Sequence, residues 1–367
     1  MKICYSYLEQ QFADIEPYLD DIRTLVKTGD FTLGKALTEF EVRFAKLLSL
    51  PYAVGVGTGT DALMLSLKIL GVGPGDEVIT VPNTFVATVG AIAMTGAKPV
   101  FVDNNEEYTI DVTKIEEAIT PHTKAILPVH LTGCPADMPA IWEIAESRRL
   151  MIVEDAAQAI LASIDGKSVG SWGATAGFSL HPLKNLNIWG DGGIIVMRSE
   201  ELRDKLRLYR NHGMATRDEI AFWSHNCRLD TLQAVVANRL LSQVHAITDQ
   251  RIANARRYDQ AFSDLEENVR IPPRRPNVKQ VFHTYVIRVK DRDRLYLYLN
   301  EHGVEAKIHY PIPLHLQKAA AGLGYKKGDF PICEEDCRTI LTLPVHQHLR
   351  SNEIEYVIDC VRRFYRR

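Results

Sequence analysis

What this 367-residue chain lacks narrows its class quickly. No uninterrupted apolar run approaches membrane-spanning length, and the opening Met1-Lys2-Ile3-Cys4-Tyr5-Ser6 carries no apolar signal-peptide core. A membrane role is not expected, and a cytoplasmic location is the default expectation. Charge of one sign is also missing: the net charge is -3, with no Arg/Lys-rich stretch of the kind nucleic acid requires. The short tail Arg362-Arg363 and Arg366-Arg367 reads as the solvated end of a helix. Cysteine is sparse, with six residues scattered at 4, 134, 227, 333, 337 and 360, which reads as free thiols. Cys333 and Cys337 are spaced to share a helical face. No neighbouring histidine or second cysteine pair completes a zinc set, so no metal is expected. Internal repeats, low-complexity tracts and a Gly/Ser linker are absent as well.

What is present is an ordered chain, 46% hydrophobic, long enough for two domains. From residue 52 to about 200, short β-branched runs alternate with helical patterns. Strands are expected at Tyr52–Val56, Glu77–Val81, Lys98–Asp103, Lys124–Leu131 and Met151–Glu154. Helices are expected at Asp61–Leu70, Thr84–Met94, Lys114–Ala118 and Pro139–Arg149. Such alternation predicts an α/β fold, a mostly parallel central sheet flanked by helices, with ligands at the carboxyl ends of the strands. A long helical stretch, Leu229–Asp249 and on through Arg251–Leu265, leads to a smaller C-terminal α/β domain with strands at Phe282–Val289 and Glu305–His309 and a closing amphipathic helix at Asn352–Tyr365. The division is expected at residues 1–250 and 251–367, with the boundary near 245–265.

Several windows carry chemistry. Gly57-Thr58-Gly59-Thr60-Asp61 lies between a strand and a helix, where free amides and the helix dipole suit a phosphate; Thr60 is placed to cap the helix and offer its hydroxyl. The segment is neither a Walker loop nor a dinucleotide fingerprint. Asp155 ends a strand, followed by the small Ala156-Ala157 and by Gln158, an amide able to reach a phenolic oxygen. Lys184 lies in the loop Ser179-Leu180-His181-Pro182-Leu183-Lys184, before Gly190-Asp191-Gly192-Gly193. Phe85 follows a strand end and is placed to stack on a flat ring. Singly, these residues read as a helix cap, a turn former, a solvated charge and a core aromatic. Jointly, a lysine and a carboxylate at neighbouring strand ends are what pyridoxal phosphate needs to act as an electron sink: an amine for its aldehyde and an anion for its ring nitrogen.

The ordered windows closely resemble the DegT/DnrJ/EryC1/StrS family of pyridoxal-phosphate-dependent sugar aminotransferases, of the fold type I class. The likeness spans nearly the whole chain. It includes Gly34 with Phe40-Glu41 and Phe44-Ala45, Gly57 to Leu63, Thr84 to Thr88, Glu154 to Gln158 and Ser179 with Lys184-Asn185-Leu186. It continues through Gly190 to Gly193, Arg210 to Gly213, Asn226 with Arg228-Leu229, and His309 to Gln317. The resemblance implies that Lys184 holds the cofactor, that Asp155 partners its ring nitrogen, that Gln158 neighbours ring and phenolate, and that Phe85 stacks. Gly59, Thr60 and Ser179 look like phosphate ligands. Asn226 is similar to the asparagine that reaches the neighbouring subunit's cofactor phosphate, which implies a homodimer with shared active sites. His309 and Tyr310 match a motif bordering the sugar site. The family often has Tyr where Thr132 stands.

A dehydratase branch carries histidine in place of the lysine; Lys184 is retained here, which favours transamination. The implied reaction moves the amino group of L-glutamate to a keto group of a dTDP- or UDP-linked deoxy sugar. Asn185-Leu186 and the final glycine motif lean towards 3-keto substrates, the alternatives being a 4-keto aminotransferase or a dehydratase or lyase of the same fold. A non-catalytic regulator is the reading from a different class.

Overall fold

The computed structural model describes residues 1–366. Its centre is a seven-stranded sheet of β1 (Tyr52–Val56), β2 (Glu77–Thr80), β3 (Lys98–Phe101), β4 (Thr123–Ile126), β5 (Met151–Asp155), β6 (Thr175–Ser179) and β7 (Gly193–Met197), in spatial order β1-β7-β6-β5-β4-β2-β3. The strands from β3 across to β6 pair in parallel, and β7 lies antiparallel between β6 and β1. Strands buried on both faces need apolar residues on both. Ile194, Ile195, Val196 and Met197 of β7 are all buried, as are Ile152 and Val153 of β5.

Helices cover both faces: α1 (Glu16–Thr28), α2 (Lys35–Leu47), α3 (Gly59–Ile69), α4 (Val86–Met94), α5 (Met138–Arg148), α6 (Glu200–Tyr209), α7 (Thr231–Leu241) and α8 (Val244–Phe262). Helix α3 is apolar almost all round, Ala62 to Leu67 being buried without interruption, because it lies between the sheet and the helices outside it. On the other face Phe40 and Phe44 of α2 are fully buried, and Phe44 meets Phe178 of β6 edge-on at 5.3 Å.

A smaller antiparallel sheet, β8 (Val269–Arg270), β9 (Tyr285–Val289) and β10 (Ile340–Leu343), is attended by α9 (Arg292–Glu301), α10 (Pro331–Thr339) and α11 (Ser351–Tyr365). The closing helix is amphipathic as expected, burying Ile354, Val357, Cys360 and Val361 on one face. Among the described residues, no helix is long and apolar enough to cross a membrane.

Three local expectations fail. Glu305–His309 is not a strand: only single bridges form around it, Ile3 to Val304 and Lys307 to Thr342. The helix expected at Lys114–Ala118 is two separate 3₁₀ turns, Val112–Lys114 and Glu116–Ala118. The continuous helix expected through residue 265 breaks between Leu241 and Val244 into α7 and α8.

One buried ion pair fastens α2 to the first strand. Glu41 and Arg210 are both buried; Glu41 Oε1 accepts from the Gly55 amide (2.9 Å) and from Arg210 Nη1, which also donates to the Gly55 carbonyl (2.9 Å). Removing one partner strands a buried charge. Glu41→Ala is expected to lower stability by about 3 to 5 kcal/mol, read as a shifted denaturant midpoint; a change under about 1 kcal/mol would show the pair to be dispensable.

Candidate active site

The carboxyl ends of β1, β2, β4, β5 and β6 open on one edge of the sheet, and nearly every residue singled out in the sequence emerges there. Gly57 to Thr60 follow β1, Thr84 and Phe85 follow β2, His130 to Gly133 follow β4, Asp155 ends β5, and Ser179 ends β6 with Lys184 beyond it. Because β7 runs backwards, its first residue Gly193 sits beside Ser179 and beside Val56. A Cβ on Gly193 would lie 2.2 Å from the Thr58 carbonyl, and one on Gly59 would lie 2.7 Å from Ser179 Cβ. Only glycine lets these segments close on one another.

The adjacent carboxylates of β5 point to opposite faces, as successive strand residues must. Glu154 is fully buried and fully engaged: the amides of Gly170 (2.8 Å), Trp172 (2.9 Å) and Gly173 (2.8 Å) donate to it. The Ala136 amide donates to His130 Nδ1 (3.1 Å), so that Nε2–H is free to donate to Glu154 (3.1 Å). Burial alone would raise the Glu154 carboxyl, but these bonds together hold it below its ordinary value. Asp155 is less well served. Thr88 Oγ1 donates to its Oδ2 (2.7 Å) and the Ala157 amide to its Oδ1 (3.2 Å), and burial still pushes its carboxyl up. The two partners and the charge of Lys184 pull in the opposite direction. It is a carboxylate short of one cation.

Lys184 is the cation whose charge acts most on it. Burial brings its ammonium down to about 8, opposed by attraction to Asp155. Among the described residues no hydrogen bond or ion pair engages its side-chain nitrogen. Its loop is tied down by the Lys184 amide on the His181 carbonyl (2.8 Å), Asn185 Nδ2 on the Val281 carbonyl (3.2 Å) and Asn187 on Pro182.

Thr58, not Thr60, caps α3: its Oγ1 accepts from the Asp61 amide at 2.9 Å. The cap expected at Thr60 falls two residues early because the helix starts at Gly59. The Gly59 and Thr60 amides are thereby left facing the open edge, with Ser179 alongside. Phe85, 53% exposed beside the buried Thr84, offers its ring uncovered. The Gln158 amide is anchored, its Oε1 accepting from the Thr132 amide (2.7 Å), and its other end reaches the Tyr310 hydroxyl. Thr132, where a tyrosine is common in the resembled family, is buried and accepts from Gln280 Nε2 (3.1 Å). Asn226 stands apart, exposed on an extended segment paired with Asn211, its Oδ1 accepting from the Arg228 amide (3.2 Å).

An aromatic wall closes the far side. Tyr310 lies 6.1 Å from Phe85 and 5.5 Å from His309, whose ring is 5.7 Å from Tyr5. Burial, then the Asp155 charge, raises the Tyr310 hydroxyl above its ordinary value, which keeps it a donor. His309 donates or accepts through Nδ1 at Thr342 (3.0 Å), and burial with the Lys184 charge lowers it to about 4, so its ring is neutral. Sequence reasoning missed Tyr5, Tyr7, Thr88 and His283. Thr88 had a local signal, its place in the first turn of the helix that follows Phe85; the others come from distant segments with none. His283 is driven well below its ordinary value by burial and then by the Lys184 charge.

The one group of possible metal donors among the described residues is Asp61, His225 and Cys227, within 4.8 Å of one another. Burial and then Asp61 push the Cys227 thiol up to about 12, so the sulfur keeps its proton.

With Lys184 brought down to about 8, its amine becomes a free base as pH rises through that value. Pulse acetylation of cofactor-free protein, followed by mass spectrometry of the Lys184 peptide, is expected to be half-maximal near pH 8. A midpoint near the ordinary lysine value of about 10.4 would contradict the dry setting described.

Comparison with known proteins agrees with this geometry. The sequence profile of the DegT/DnrJ/EryC1/StrS aminotransferase family matches residues 14–362. The chain is 38% identical over 365 residues to a dTDP-3-amino-3,4,6-trideoxy-alpha-D-glucose transaminase of Streptomyces venezuelae, covering 97% of this chain and 96% of that one. It is 39% identical over 356 residues to a UDP-N-acetyl-3-dehydro-alpha-D-glucosamine 3-aminotransferase of Acidithiobacillus ferrooxidans, covering 96% and 95%. The crystal structure of S. venezuelae DesV in complex with a ketimine intermediate superposes with a TM-score of 0.97 at 38% identity, over 100% of this chain and 99% of that one. Other structural neighbours are crystallised in pyridoxal or pyridoxamine phosphate form. The chain belongs to the DegT/DnrJ/EryC1/StrS aminotransferase family, and its cofactor is pyridoxal 5'-phosphate.

Proposed function

We propose that this chain transfers the amino group of L-glutamate to the C3 keto group of a nucleotide-linked sugar, with Lys184 and Asp155 as its catalytic residues. The observation that carries the chemistry is the pair itself: a buried carboxylate short of a cation, opposite an amine brought down to about 8. The residues around the pair fit the cofactor. Gly59 and Thr60 offer free amides, and Ser179 a hydroxyl, in a cleft so tight that a Cβ at Gly59 would meet Ser179 at 2.7 Å. Phe85 offers an exposed ring face and Gln158 lies beside Asp155 in sequence.

Bound pyridoxal phosphate supplies an electron sink for the negative charge left when the amino carbon gives up its proton. Asp155 would hold the ring nitrogen protonated, and Thr88 and the Ala157 amide keep Asp155 oriented. Lys184 Nζ, a free base above pH 8 or so, would take the proton from the donor's α-carbon and hand it to the cofactor's C4′, and in the second half-reaction would move a proton the opposite way, from C4′ to the carbon being aminated. Phe85, Tyr310 and His309 exclude water from this side, and the neutral His309 adds no charge to compete with Lys184. Asn226, exposed, its Oδ1 accepting from the Arg228 amide (3.2 Å) and its Nδ2 without a hydrogen bond among the described residues, serves the phosphate of a partner subunit, so the working unit is a homodimer. His309 and Tyr310 border the sugar.

The 3-keto choice is supported by relatives that make or act on 3-amino and 3-keto sugars on dTDP and UDP carriers, and by Asn185-Leu186 with Gly190 to Gly193. The test is incubation with L-glutamate and a panel of dTDP- and UDP-linked 3-keto and 4-keto sugars, locating the new amine by NMR. Amination at C3 is expected; amination at C4, or turnover of simple keto acids alone, contradicts the proposal. Lys184→Ala is expected to abolish turnover, a loss of at least about 100-fold, and Asp155→Asn to retain cofactor while kcat falls by about 100- to 1,000-fold. An unimpaired Asp155→Asn enzyme would remove that carboxylate from the mechanism.

A further inference from the structure

The family profile begins at residue 14, yet a residue before that point holds the lysine loop. Tyr7 is buried, and its hydroxyl donates to the Lys184 carbonyl at 2.9 Å and, more weakly, to the Leu183 carbonyl at 3.3 Å. Its ring is held as firmly as its hydroxyl. It stacks on His346 at 5.2 Å with 29° between planes, and the Arg251 guanidinium lies over it at 5.1 Å. Arg251 is itself 1% exposed and fixed by Gln347 Oε1 (3.0 Å) and the His283 carbonyl (3.1 Å).

The segment that carries Tyr7 is anchored along its length. The Ile3 amide donates to Gly303 (2.8 Å), the Tyr5 amide to Glu305 Oε2 (2.8 Å), His346 Nε2 to the Cys4 carbonyl (3.1 Å) and Gln347 Nε2 to Gln11 Oε1 (2.6 Å). A rigid strap therefore runs from the smaller sheet to the lysine, and its one bond to Lys184 falls on that residue's own carbonyl. The amine of Lys184 is depressed first by burial. Anything that lets its main chain drift towards solvent must relax that depression.

We propose that Tyr7 is a positioning residue for Lys184: its hydroxyl fixes the lysine's main chain so that the amine stays in the dry cleft opposite Asp155. The inference rests on the assignment of Lys184 as the cofactor-holding residue. Tyr7→Phe keeps the ring, with its stacking on His346 and the Arg251 guanidinium over it, and removes the hydroxyl together with the hydrogen bond Arg251 makes to it. In cofactor-free protein, the acetylation midpoint of Lys184 is expected to rise by about one pH unit, which leaves about tenfold less free base at neutral pH. In the loaded enzyme kcat at neutral pH is expected to fall by a similar factor of about ten, with KM for L-glutamate changed less than about twofold. An unmoved midpoint overturns the inference, whether or not kcat or the melting temperature falls, because a merely structural clamp would leave the amine's titration alone. Lys184→Ala run alongside separates the two claims: turnover surviving that change removes Lys184 from the mechanism, whereas an unmoved midpoint in Tyr7→Phe removes only Tyr7.

Discussion

The Asp155 carboxylate is the constraint on which the rest of the site depends. A charge in a buried position is costly unless hydrogen bonds and an opposite charge compensate it. Asp155 receives one hydroxyl and one amide, while its neighbour Glu154, on the other face of the same strand, receives three amides and a histidine. The contrast separates a structural carboxylate from a functional one. Glu154 is satisfied by the protein alone and braces the loop at 170–173; Asp155 is left with room for a cation. On the proposed assignment a protonated pyridine nitrogen would supply it, and the cofactor would then be a partner of the fold as well as its reagent.

Around that deficit, the amine and the walls follow from the same physics. Lys184 sits where burial, more than any partner, governs its proton affinity, which brings it to about 8, the range suited to the proton exchange proposed for it. Every histidine drawn towards it, His181, His283 and His309, is lowered by burial first and by the lysine's charge second. Lowered in this way, the rings favour their neutral forms. The smaller sheet contributes through two long reaches, the Tyr310 segment over the cleft and the amino-terminal strap beneath it, so that the catalytic edge is completed by parts of the chain remote from the parallel strands.

Much of this was legible in the sequence where the determinants are local. β5 declares itself by an apolar run ending at Asp155, and Gly59 and Gly193 fall in windows the sequence singles out, where the register of β1, β7 and β6 supplies the reason for glycine. Where the outcome depends on competition between distant segments, local reading fails. Thr58 and Thr60 are equally good caps by type, and the choice is made by where pairing of Val56 with Gly193 ends the strand. Val304 to His309 has a strand-like pattern, but Ile3 takes one end and Thr342 the middle, leaving two bridges in place of a ladder. Tyr7 and His283 carry no neighbouring motif at all; only the folded chain brings them to Lys184.

The central claim is that Asp155 keeps the cofactor's ring nitrogen protonated. Nitrogen-15 NMR of enzyme loaded with ring-labelled pyridoxal phosphate measures this directly. A protonated pyridine resonance at neutral pH, lost in Asp155→Asn, is the predicted result; an unprotonated nitrogen in the unaltered enzyme would contradict the account.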